Sequence, residues 1–132
     1  MKIVPDTNIL VRAAVQDDPV QGAIARKLMQ EAGLLAVTLP ALCEFCCVLR
    51  KAYDFEPARI AAAIHVLLDA ENVALDRSAV EAGLAMLEAG GDFADGVIAH
   101  DGRWLGGESF ISFDKEAVRL LQDRGEAARV PA

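Results

Sequence analysis

Apolar residues recur along this chain in two alternating rhythms, short compact runs and longer stretches spaced as on one face of a helix. Lys2 to Pro5 reads as a short buried strand ending at Asp6, and Asn8 to Val15 as a buried helix carrying Ile9, Leu10 and Val11. Asp17-Asp18-Pro19 has the cap and proline signals of a helix start. That helix runs to about Glu31 with Ile24, Leu28 and Ala32 on one face, and Gly33 stops it. Leu35 to Thr38 reads as a second strand, and Pro40 opens a helix with Leu42, Phe45, Leu49 and Ala52 as its stripe. Glu56-Pro57 begins another, striped by Ile60, Ala63, Ile64, Leu67 and Leu68. Asn72 to Leu75 is the third strand, and Asp76 caps a helix carrying Val80, Gly83, Leu84 and Leu87. Gly90-Gly91 ends that helix, and Asp92 starts the next, running to about Trp104. After a Gly106-Gly107 loop, Phe110 to Phe113 forms a fourth strand ending at Asp114, and Lys115 to Arg124 a last helix. The tail around Val130 either adds a short edge strand or frays.

Strands alternating with helices predict an α/β fold, with a mostly parallel sheet covered by helices on both faces. The expectation is an α/β/α sandwich with a central sheet of four or five strands. Neither repeats nor a linker interrupt the pattern, so residues 1–132 read as one domain.

Composition narrows the function. Hydrophobic residues make up 54% and charged residues 25%, which excludes a disordered chain. The 13 Lys and Arg against 20 Asp and Glu give a net charge of −7, which argues against a broad basic face for nucleic acid. It leaves room for an enzyme that touches nucleic acid locally and holds cations in a carboxylate pocket. The longest apolar run, Leu34 to Leu49, contains Thr38, Pro40 and Glu44 and does not read as a membrane span. Nor do the first residues resemble a signal peptide, so the expected location is the cytoplasm, away from membranes. Cys43, Cys46 and Cys47 crowd together without a second pair or a His cluster to complete a zinc site. They read as reduced thiols filling helix-packing space, with a redox role as the alternative.

In open parallel sheets, ligands collect beyond the carboxyl ends of the strands. Asp6 and Asp114 each follow a strand, while Glu44 lies on its helix off the apolar stripe. Asp95 falls in the first turn of its helix, three residues after Asp92. Converging carboxylates raise each other's pKa, and a hard divalent cation such as Mg²⁺ or Mn²⁺ removes the conflict. Each acid taken singly also fits a helix cap or a solvated surface. No histidine suits general acid–base work, His65 lying beside a helix stripe and His100 on a later helix.

Four local strings go further. Residues 3–10 (IVPDTNIL), 42–45 (LCEF), 91–99 (GDFADGVIA) and 112–115 (SFDK) resemble, in order and separation, the motifs of the PIN-domain nucleases. The subgroup most similar is the VapC-type toxins of bacterial toxin–antitoxin systems. The resemblance implies a metal-dependent endoribonuclease whose acidic quartet is Asp6, Glu44, Asp95 and Asp114, holding Mg²⁺ or Mn²⁺ and the attacking water. Thr7 and Asn8 match the polar pair beside the first acid, Ser112 the hydroxyl before the last, and Asp92 an accessory acid. It further implies a structured RNA substrate such as transfer RNA, a homodimer, and inhibition by a small cognate antitoxin. Arg12 and Lys115, close to motif acids, rank first as RNA contacts, ahead of Arg50, Lys51, Arg103 and Trp104.

Two residues depart from the common pattern. Pro5 removes a backbone donor from a central strand unless the ladder ends before it. Gly96 follows Asp95 where another residue would favour the helix. A phosphoreceiver would need adjacent acids after the first strand, and a haloacid dehalogenase-like phosphatase an Asp-x-Asp there; Asp6-Thr7-Asn8 is neither. A catalytically silent binding module remains the other alternative.

Overall fold

The computed structural model describes residues 1–131. The chain forms two compact units, one spanning Met1–Asp76 and the other beginning at Arg77.

In the first unit the order is β1 (Lys2–Ile3), α1 (Thr7–Ala14), α2 (Pro19–Glu31), β2 (Leu34–Ala36), α3 (Leu39–Lys51), α4 (Pro57–Asp69) and β3 (Val73–Ala74). Its strands form one parallel sheet in the order β1-β2-β3, with Ile3 opposite Leu35 and Leu35 opposite Val73. Parallel neighbours need crossover connections, and the helices supply them. Leu10, Leu35, Leu42, Phe45, Leu49, Ile60 and Ile64 are all buried, as their spacing predicts. The end of α2 is closed from just before β3, because Asn72 Nδ2 donates to the carbonyls of Met29 and Ala32.

The strands are shorter than the apolar runs. β1 stops at Ile3, so buried Pro5 lies past the ladder and removes no sheet hydrogen bond. Thr38, read as the end of the second strand, instead caps α3 by accepting from Ala41 N. The predicted face of α2 is also corrected. Ala32 is buried as expected, but Ile24 is 62% exposed and Leu28 38%, while Gly22 and Ala25 are buried. The reason is close approach to α1: a Cβ on Gly22 would already sit 3.1 Å from the Arg12 carbonyl oxygen. Gly22 gives the two helices room for that approach.

The second unit contains α5 (Arg77–Glu88), α6 (Phe93–Trp104), β4 (Phe110–Ile111), α7 (Lys115–Asp123) and β5 (Ala128–Arg129). The tail does form a strand, pairing in parallel with β4 through Phe110 opposite Ala128. Met86, Ala99, Val118, Leu120 and Leu121 build the core here, with Phe110 and Val130 packed against it. Gly90, at φ 95°, turns the chain out of α5 as only glycine does readily.

Candidate functional site

The first unit gathers Asp6, Thr7 and Glu44. Where β1 ends, Asp6 becomes the N-cap of α1, its Oδ1 accepting from Thr7 N at 2.8 Å. Thr7 is 9% exposed, and its Oγ1 donates to Glu44 Oε2 at 2.9 Å. Glu44 is free to face this hydroxyl because Leu42, Phe45 and Leu49 carry the buried stripe of α3. A cleft of about 330 Å³ opens over these groups, lined also by Asn8, Arg12 and Tyr53. A second recess of about 300 Å³ shares Asp6, Thr7 and Glu44 and is completed by residues that include Pro5, Thr38 and Pro40.

Arg12, expected to meet substrate, is partly occupied. Its Nη1 donates to Asp17 Oδ1 at 3.0 Å and to Tyr53 Oη at 3.3 Å, while its Nε donates to Gln21 Oε1 at 2.9 Å. Tyr53 in turn donates to Asp17 Oδ2 at 2.9 Å. The Tyr53 hydroxyl, and after it the Arg12 charge, hold the Asp17 carboxyl below its ordinary value. Sequence reading missed Tyr53 and Asp17 because neither belongs to a motif string.

The second unit presents the remaining acids at helix starts. Asp92 caps α6 by accepting from Ala94 N at 3.0 Å. Asp114 caps α7, its Oδ1 accepting from Glu116 N and Ala117 N, each at 3.1 Å. Ser112 Oγ accepts from Asp114 N at 3.0 Å, so the hydroxyl before the last acid orients that acid's backbone. Asp95, in the first turn of α6, caps nothing and is half-buried. Burial raises its pKa first, with further contributions from Asp92 and then Asp114. Lys115 stands exposed at the first position of α7.

Gly96 has its own explanation. A Cβ there would lie 2.5 Å from the Ala82 carbonyl oxygen, and one on Gly83 would lie 2.6 Å from the Phe93 ring. The two glycines let α5 and α6 meet backbone to backbone. A residue that weakens an isolated helix thus fixes the helix bearing Asp95.

The capping roles do not compete with ligand binding. Each cap engages one carboxylate oxygen, Oδ1, and a carboxylate has two. His100 bonds Ser78 Oγ at 2.9 Å and Asp101 at 3.1 Å, a structural pairing, and His65 is exposed.

Among the described residues, no three His, Cys, Asp or Glu side chains form a preassembled ion cage. The donor chemistry nevertheless fits a hard cation. Mg²⁺ commonly takes one or two carboxylates and keeps its waters, and Asp6 with Glu44 offers such a pair. Cys43, Cys46 and Cys47 are reduced thiols, with Cys46 buried and Cys47 exposed. No helix among the described residues is long and apolar enough to cross a membrane.

No curated protein matched this sequence. The PIN domain family matches residues 3–121, running through both units and all four motif strings. PIN domains are generally nucleases that use divalent metal ions, typically Mg²⁺ or Mn²⁺. The parallel strands with their crossover helices are the α/β fold of that family. By this match over most of its length, the chain belongs to the PIN domain family of metal-dependent nucleases.

Proposed function

We propose that this PIN domain is an endoribonuclease of the VapC toxin type. It cuts structured RNA such as transfer RNA in the cytoplasm, works as a homodimer and is held inactive by a small cognate antitoxin. Support comes from the four motif strings in order, and above all from the hydrogen bond that holds Glu44 of the second motif to Thr7 of the first.

In this reading the resemblance of the motif strings assigns Asp6, Glu44, Asp95 and Asp114 to binding of Mg²⁺ or Mn²⁺. When bound, the cation supplies Lewis acidity at the scissile phosphate and makes water a better nucleophile. The chain's own residues do the positioning. Thr7 fixes one Glu44 oxygen, and the caps of α1 and α7 fix one oxygen each of Asp6 and Asp114. The side chains therefore meet the ligand already oriented. Water attacks phosphorus, one P–O ester bond breaks, and the strand ends leave as a phosphate and a hydroxyl. With a net charge of −7, the cation-free protein repels RNA, and a basic antitoxin side chain finds the same carboxylates attractive.

The test is cleavage of a broad RNA panel by antitoxin-free protein with Mg²⁺ or Mn²⁺. Cleavage is expected to stop with a chelator and with Asp6→Asn. Intact RNA throughout, with metal bound, removes the reading. A separate check of the toxin assignment is whether expression arrests growth and whether a small protein encoded directly upstream relieves the arrest.

A further inference from the structure

We propose that Tyr53 is a stacking platform for a nucleobase of single-stranded RNA, set in place by Asp17 and Arg12 beside the Asp6–Glu44 cleft. The identity of the ligand rests on the nuclease reading, which this subsite deepens by placing a part of the substrate that the motif acids do not touch.

Among the residues lining the cleft, Tyr53 is the one aromatic and Arg12 the one cation. The tyrosine is held from three directions. Its hydroxyl donates to Asp17 Oδ2 and accepts from Arg12 Nη1. Its ring meets Phe55 edge-on, with centroids 6.4 Å apart and planes at 70°. The backbone just after it is turned sharply, Asp54 taking φ 55° while Phe55 N donates to Leu49 O at 2.9 Å. A tyrosine has only two side-chain torsions, so these contacts leave its ring little freedom, while it remains half-buried and open to the cleft.

A ring pinned this way loses little entropy when a flat partner stacks on it, and every base has a π-face to offer. Arg12 complements it. Its hydrogen bonds run through Nε and Nη1, which leaves the two Nη2 hydrogens for a phosphate oxygen. Base on Tyr53 and phosphate on Arg12 together describe one nucleotide of a strand crossing toward Asp6 and Glu44. Asp17 acts through Tyr53 and is a positioning residue. It also tempers the guanidinium charge, so the base contributes more of the recognition.

Tyr53 is the single tyrosine of the sequence, which makes the test direct. Protein carrying isotope-labelled tyrosine is titrated with a short single-stranded oligoribonucleotide, with Mg²⁺ and again with chelator, while the ring signals are followed by NMR. Stacking moves them upfield; an inorganic polyphosphate probe of similar charge does not. In steady-state cleavage, Tyr53→Leu raises KM about tenfold with little change in kcat, and Tyr53→Phe, which keeps the ring, about twofold. Asp17→Ala falls between them. Ring signals that stay put while the oligonucleotide binds overturn the platform and leave the nuclease reading standing. So does Tyr53→Leu with an unchanged KM, or Tyr53→Phe losing as much as Tyr53→Leu. Shifted signals in a protein that cuts no RNA uphold the subsite and remove the nuclease reading instead.

Discussion

The hydroxyl of Thr7 donates to the carboxylate of Glu44 at 2.9 Å across 37 positions of sequence. That bond ties the first turn of α1 to the middle of α3 beside Asp6. Replacing Thr7 by valine keeps the shape and removes the donor. Thr7→Val is expected to lower stability by about 1 kcal/mol, and to cost up to about a hundredfold in kcat/KM as Glu44 swings free. Thr7→Ser keeps the donor and retains most of the activity. Denaturant unfolding and cleavage kinetics on the two variants separate these effects.

Gly96 and Gly102 lie on the same helix and predict opposite outcomes. A Cβ at Gly96 would press on the Ala82 carbonyl at 2.5 Å, whereas one at Gly102 meets nothing within 4 Å. Gly96→Ala destabilises by about 1–3 kcal/mol through overpacking. Gly102→Ala stabilises by about 0.5–1 kcal/mol through reduced chain entropy and better helix propensity. Thermal unfolding of both variants decides whether close helix packing explains the glycine after Asp95.

Asp95 is held above its ordinary pKa by burial, Asp92 and Asp114. Its ionised form is therefore disfavoured by folding. The penalty is absent below the ordinary carboxylate range, grows as pH rises through the raised folded value and is complete above it. Asp95→Asn is expected to raise the melting temperature of chelated protein at neutral pH, with the advantage vanishing in acid. Added Mg²⁺ or Mn²⁺ stabilises the wild type more than the variant. Equal melting temperatures at neutral pH count against a strained carboxylate.

Asp17 works in the opposite direction. The Tyr53 hydroxyl and Arg12 lower its pKa, so its contribution is present above the unfolded carboxylate value and is lost as pH falls through the folded one. Asp17→Asn should be less stable than wild type at neutral pH and lose less on acidification. Urea unfolding followed across the acid range measures both slopes.

Much of the molecule was legible from local pattern. The order of strands and helices follows from apolar spacing, and helix starts from Asp6, Asp18, Asp92 and Asp114, all of which cap helices. The acids proposed to hold the cation could be named from the sequence, because short strings carry them. The strand ends were not, since an apolar residue does not say where a ladder gives way to a cap. Val37 and Thr38 continue the apolar run of β2, yet Thr38 turns the chain into α3. Tyr53 and Asp17 were invisible as partners because they stand 36 positions apart.

By itself the sequence determined which segments are helix or strand, where capping acids stand and that their oxygen chemistry suits a hard cation. These properties depend on residues within a turn or two of one another. Tertiary structure alone decided that α2 buries Gly22 and Ala25 instead of Ile24 and Leu28, and that Gly96 serves helix packing. It likewise decided that Thr7 reaches Glu44 and that Tyr53 is locked by Asp17. The physical reason is common to all four: each depends on how closely two distant backbones approach, which no local period encodes.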